Sequence, residues 1–383
     1  MTLLTLLKSS GANSYSIVCA SASFALTGNA AGLTAQRKIT AAQASFTLTG
    51  NAAGLTAQRK LVAAQASFGL TGNAAGLAAQ RTLAAVFGTF ALTGNAAGLV
   101  HGYTLPCSAG TFALTGNASQ FSVGRRIACA AGSFALAGQA AGLTAQRRLL
   151  CTHGSFALTG NSAGLNRGFT LVCSAGSFTL TGVAAALRRG RYLACTAGSF
   201  ALTGNAAGLT AQRRIAAAAG TFTLSVFDAG LSTTGSFSIG ASTGAFALTG
   251  RAAALTAQRR ITATPATFAL SASTAGLRAA RVLSCSPGLF ALTGRAAGLT
   301  TQRSVGAAFG AFVLTGRSAS FSVTRVLSAS RGLFALTGMS AGLTFSGAET
   351  PSVSATVSTT IEPFTTIDVV IEAANEVISE VTQ

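Results

Sequence analysis

The stretch Ser23-Phe24-Ala25-Leu26-Thr27-Gly28-Asn29-Ala30-Ala31-Gly32-Leu33 (SFALTGNAAGL) decides the fold, because the chain keeps returning to it. Its phenylalanine recurs every 22 residues from Phe24 to Phe222, then, after one spacing of 24, at Phe246, Phe268, Phe290, Phe312 and Phe334. Fifteen copies occupy residues 15–344 of 383. A fixed period of this size marks a repeat architecture, so the repeat has to be read before any site.

With each phenylalanine as origin, the second residue after it is always Leu (Leu26, Leu48, Leu70) and the ninth is Leu or Phe (Leu33, Phe121, Phe321). The seventh residue before it is Ile, Leu or Val (Ile17, Leu61, Val305), and the fifth before it is Ala or Cys. Small or polar residues alternate with these positions. Period-two alternation is the signature of half-buried strands, so the chain is all-β.

Two turns suggest how the strands pair. Gly28-Asn29 between alternating runs reads as a two-residue hairpin that sets Phe24 opposite Leu33. Arg replaces the Asn at Arg251, Arg295 and Arg317, which suits a type II′ turn, where only the Gly needs a positive φ. Val226 and Ala272 replace the glycine in two copies, where the turn should differ. Ser286-Pro287-Gly288-Leu289 reads as a type II turn that sets Cys285 opposite Phe290 and Arg281 over Gly294. The expected architecture is therefore a train of tandem 22-residue β-hairpin repeats forming an elongated, fibre-like shaft. Such a shaft advances about 26 Å per repeat. A ribbon this thin cannot bury its own apolar face, so neighbouring chains would supply the core, making a homo-oligomer, with a trimer as the expected form. The rival reading bends the long strand near Thr34-Ala35-Gln36 and stacks each repeat as one coil of a β-solenoid, advancing about 4.8 Å.

Along the chain, residues 1–14 read as an N-terminal cap or assembly segment, without the basic n-region or cleavage site of a signal peptide. Residues 15–344 hold the fifteen repeats without an obvious linker. The two-residue insertion falls within residues 225–244 and reads as a bulge or kink. Residues 345–383 form an acidic C-terminal anchoring segment that carries six of the chain's seven carboxylates, Asp228 being the seventh. No run approaches twenty uncharged apolar residues, so no membrane-spanning helix is expected. Missing aromatic girdles and the basic balance argue against an outer-membrane barrel.

The net charge is +19. Arg recurs nine residues before the phenylalanine at Arg37, Arg59, Arg81, Arg125, Arg147, Arg191, Arg213, Arg259, Arg281, Arg303 and Arg325, often followed by Lys or Arg (Lys38, Lys60, Arg126, Arg148, Arg214, Arg260). These eleven arginines are the candidate contacts to a polyanion or partner, such as nucleic acid, an anionic host-surface glycan or an acidic protein. The plainer reading has them covering glycines and keeping an apolar chain soluble. All seven cysteines sit at the Ala position five before the phenylalanine, as small buried fillers, without CxxC or metal-ligand spacing. Disulfides between chains or neighbouring repeats are the alternative for them. His101 and His153 lie far from any carboxylate in sequence, and the repeats contain one carboxylate. Acid–base pairs and hard-metal cages therefore lack their parts, and neither an enzyme nor a cofactor is expected.

The phrase SFALTGNAAGL, followed by a basic pair and an IAAAAG-type stretch, resembles tandem repeats in structural proteins of tailed bacteriophages, over about 85% of the chain. That resemblance implies a non-enzymatic virion component: a fibre, a tail-associated protein or a head decoration. It would meet other virion proteins through one terminus and turn a basic repeat shaft to the host surface or to its neighbours. A polyanion-binding repeat module is the alternative function.

Overall fold

Each 22-residue copy closes into one coil of three short strands. In the second full copy these are Ser45–Thr49, Ala52–Ala57 and Lys60–Ala63, and the next copy repeats them as Ser67–Thr71, Ala74–Ala79 and Thr82–Ala85. The protein is seen in a computed structural model that describes residues 5–8, 15–19, 23–35, 38–43, 45–57, 60–79, 81–101, 104–123, 126–145, 148–166, 170–232, 238–257, 260–279, 282–285, 287–301, 304–307, 309–323, 326–329, 333–345, 355–361, 365–371 and 377–382. These fall into two units, Met1–Gly190 and Arg191–Gln383. No helix among the described residues is long and apolar enough to cross a membrane.

The pairing identifies the architecture. In the first unit Phe46 lies beside Phe68, Leu55 beside Leu77 and Leu61 beside Leu83, all in parallel register. In the second unit Phe268 lies beside Phe290 and Leu277 beside Leu299, again in parallel. Each unit is thus a β-solenoid, the rival of the two architectures that the repeat allowed. The hairpin shaft does not form: Phe24 pairs with Phe46 and Leu33 with Leu55, rather than Phe24 with Leu33. Likewise Leu283 lies beside Val305, not opposite Leu292. The reason is burial. Three strands that turn their apolar faces inward enclose a core that one ribbon cannot, and Phe46, Leu48, Leu61, Ala63 and Phe68 are all 0% exposed. The need for a neighbouring chain to complete the core disappears with the hairpin.

Stacking like on like builds ladders through the core. The rings of Phe68 and Phe90 lie 4.8 Å apart and 5° from parallel, and those of Phe90 and Phe112 repeat this at 4.8 Å and 3°. In the second unit Phe222, Phe246 and Phe268 continue the pattern at 4.6 and 4.5 Å. Offset stacking of this kind adds about 0.5–1.5 kcal/mol per pair beyond the area buried. Where Ser119 stands in a column of alanines, its buried hydroxyl donates to the Ala137 carbonyl at 2.8 Å.

The backbone ladder also runs through the corners. The Gly28 N–H donates to the Thr49 carbonyl at 3.0 Å, and the Ala52 N–H to the Asn29 carbonyl at 2.9 Å. At the other corner the Gln65 N–H donates to the Ala42 carbonyl at 2.8 Å. Buried backbone groups therefore find partners one coil away even where the chain turns. In the first unit Thr5–Lys8 pairs antiparallel with Tyr15–Cys19, and in the second Ala355–Ile361 joins Leu333–Gly338 in parallel, continuing as an antiparallel meander through Thr365–Ile371 and Val377–Thr382.

The corner glycines do a different job from the one the hairpin assigned them. Corner glycines from Gly28 to Gly182, together with Gly294, Gly316 and Gly338, lack the positive φ of a type II′ turn, and Gly288 lacks that of a type II turn. A Cβ on Gly94 would instead overlap the Gly72 carbonyl oxygen, and one on Gly72 would overlap that of Gly50. Glycine suits these corners because coils there touch backbone to backbone. In the copies that carry Val226 and Ala272, strand runs unbroken through the corner, over Thr221–Ser232 and Thr267–Ala279. The insertion leaves the core register intact. Thr210 pairs with Ser232, an offset of 22, whereas Arg214 pairs with Ser238, an offset of 24. The extra two residues thus lie between Ser232 and Ser238, outside the described residues.

Gly98, four residues after Gly94, has no atom within 4 Å of where a Cβ would lie and an ordinary φ. Gly94→Ala should therefore destabilise the protein by about 1–3 kcal/mol or more, as overpacking does. Gly98→Ala in the same coil should stabilise it by about 0.4–1 kcal/mol through the unfolded chain. Urea midpoints of the two variants test this, and equal shifts of the same sign would contradict the stacking.

Candidate functional site

In the third strand Lys60–Ala63, Lys60 is exposed, Leu61 buried, Val62 half-buried and Ala63 buried. Because the stack is in register, the first residues of the third strands form a column. In the first unit it reads Ser16, Lys38, Lys60, Thr82, Thr104, Arg126, Arg148, Thr170. In the second it reads Arg214, Ser238, Arg260, Val282, Ser304, Val326. Lys38, Lys60, Arg126, Arg148, Arg214 and Arg260 are all exposed. Adjacent cations therefore start from backbone positions about 4.8 Å apart. The Arg214 guanidinium also lies over the Tyr192 ring, 5.7 Å from its centre, within the range of a cation–π contact.

Of the eleven arginines singled out from the sequence, Arg81 is exposed, and its carbonyl accepts the Thr104 N–H at 3.1 Å. Arg191 and Arg213 lie in the strands Ser177–Cys195 and Ser199–Ala217, with their side chains outside the described set. Arg37, Arg59, Arg125, Arg147, Arg259, Arg281, Arg303 and Arg325 fall outside the described residues, so the expected cover of Arg281 over Gly294 does as well. The cations that can be followed in register are thus mainly those one residue further on.

The cysteines behave as core. Cys107, Cys129, Cys151 and Cys173 stack in parallel register in four successive coils, and these four and Cys195 are buried thiols outside any disulfide. Burial, with a hydrogen bond to the Cys129 sulfur, pushes the Cys107 thiol far up. Hydrogen bonds to the Cys129 and Cys173 sulfurs, together with burial, do the same for Cys151. Cys129 is drawn down by its bonds to both neighbours and pushed up by burial. With the residue fully enclosed, we assign the row as neutral thiols. No group of three or more His, Cys, Asp or Glu that could hold a metal occurs among the described residues. His153 is exposed, with its backbone N–H donating to the Ala130 carbonyl at 2.7 Å, and His101 ends the strand Ala96–His101.

One feature escaped the sequence reading. Asn51, Asn73, Asn95 and Asn117 form an amide ladder along the first corner, the Nδ2 of Asn73, Asn95 and Asn117 each donating to the Oδ1 one coil back at 3.3 to 3.4 Å. Beside it run the exposed Thr49, Thr71, Thr93 and Thr115, and the two columns with the corner glycines line a groove of about 940 Å³. The signal was present, since an amide recurs at this position in seven successive copies from Asn29 to Asn161, but it read as turn chemistry.

Compared with known proteins, the chain matches no family model, no curated protein and no solved structure.

In the native protein Cys107, Cys129, Cys151, Cys173 and Cys195 should resist a thiol-specific reagent at neutral pH and react once the chain is unfolded. Rapid native labelling, located by peptide mapping, would place them outside the core.

Proposed function

We propose that the protein is a non-enzymatic structural component whose coils present a column of cations to a polyanionic surface. The observation that supports this is the in-register placement of Lys38 beside Lys60 and of Arg126 beside Arg148. Like charges directly opposite one another on paired strands oppose folding, so the fold gains nothing from them. A polyanion with closely spaced charges would neutralise several at once and release its counterions. The virion setting is carried by the resemblance of SFALTGNAAGL to phage structural repeats. There the column would meet an anionic host-surface glycan or neighbouring virion proteins. Attachment through one terminus is assigned to the acidic residues 345–383. Self-association into a homo-oligomer belongs to the same proposal, and a melting temperature that rises with protein concentration is its expected sign.

The test is binding of the full chain to heparin and to duplex DNA across a salt series. Affinity should fall steeply with salt, and Lys38→Ala with Lys60→Ala should make the logarithmic slope against DNA shallower by about two. Absence of binding at low salt, or a slope unchanged in the double variant, would overturn the cationic reading. Presence of the chain in purified particles, by mass spectrometry, tests the virion placement separately.

A further inference from the structure

We infer that the Thr-Gly-Asn groove of the first unit is a binding site for a neutral, extended polysaccharide. The groove follows one corner through six coils, from Thr27-Gly28-Asn29 to Ala137-Gly138-Gln139. Five steps between coils make it about 24 Å long. Its floor is glycine backbone, and its walls are exposed hydroxyls and amides with no charged side chain among the lining residues.

The hydrogen-bonding capacity of the walls is only partly used within the protein. A primary amide carries two N–H donors and an oxygen with two lone pairs. The ladder from Asn117 to Asn51 takes one donor and one lone pair at each internal step. Every internal rung therefore keeps a donor and an acceptor for an outside partner, next to a Thr hydroxyl that can give or accept. A partner that makes the same contact at each coil must itself repeat along its length. An uncharged polymer rich in hydroxyl groups meets both conditions.

A second observation separates this groove from the demands of the fold. The same corner column in the second unit reads Asn205, Phe227, Arg251, Ser273, Arg295, Arg317 and Met339, and coils still stack in register there. The corner thus accepts amide, cation, hydroxyl or thioether alike. An unbroken amide run from Asn29 to Asn161 is not needed to close a coil, and its first six members, Asn29 to Gln139, line the groove. This inference is independent of the cationic column, which lies on another strand of the coil.

The experiment is co-sedimentation of the full chain with microcrystalline cellulose and with chitin in 1 M salt, where screening within about 3 Å silences the cationic column. The wild-type chain should pellet with at least one of these polymers. Asn73→Arg with Asn95→Arg, residues that the second unit already tolerates at this corner, should weaken retention about tenfold, as loss of two neutral hydrogen bonds would. Thr71→Val with Thr93→Val, which keeps the side-chain shape, should weaken it similarly. Melting temperatures close to wild type would confirm that both variants still fold. A wild-type chain that stays in solution with both polymers, that binds only at low salt, or that binds as well after both pairs of substitutions would overturn the inference.

Discussion

The contact on which the rest depends is the one between corner backbones, where the carbonyl oxygen of one glycine sits where the Cβ of the next coil's residue would have to be. Gly50, Gly72 and Gly94 pass this contact up the first unit. Its consequence is spacing. With the backbones of successive corners in touch, the hydrogen-bond ladder continues through the turn, as the Gly50 N–H bonded to the Thr71 carbonyl at 3.0 Å shows. A solenoid whose corners were held apart would lose those bonds and leave buried polar groups unpaired.

Once the spacing is set at a single strand separation, every side chain faces its own counterpart one coil away. For apolar residues this is favourable: phenylalanine stacks on phenylalanine, and alanine or cysteine fills the same hole each time. For amides it is favourable as well, because an amide is its own hydrogen-bond complement. For cations it is unfavourable. The same register that sets the Phe46 and Phe68 rings 5.1 Å apart also lines up Lys38 with Lys60. The core ladders and the cationic column are therefore one geometry with opposite energetic signs.

The first unit has two surfaces of different chemistry on different parts of the coil. The cationic column begins the third strand, while the neutral hydroxyl-and-amide groove follows the corner after the first. Neither resembles a convergent reaction centre. Both are linear, and both repeat at the coil spacing.

The sequence by itself determined the repeat, the all-β class, the inward columns at Phe, Leu and Ala or Cys, and the role of cysteine as filler, because alternation and period report burial whatever the pairing. It also showed that cations recur, since charge is visible without coordinates. It could not choose between hairpin and coil: both put the same residues inside, and Gly-Asn and Pro-Gly fit a turn in either. Only the tertiary structure decided that Phe24 faces Phe46 rather than Leu33. The reason is that closing a core is a property of three strands together, beyond the reach of any local pattern. The same holds for the Thr-Gly-Asn groove. Residues 22 apart become neighbours only when the coil closes, and an asparagine that reads as a turn residue in one copy becomes a rung when four are stacked.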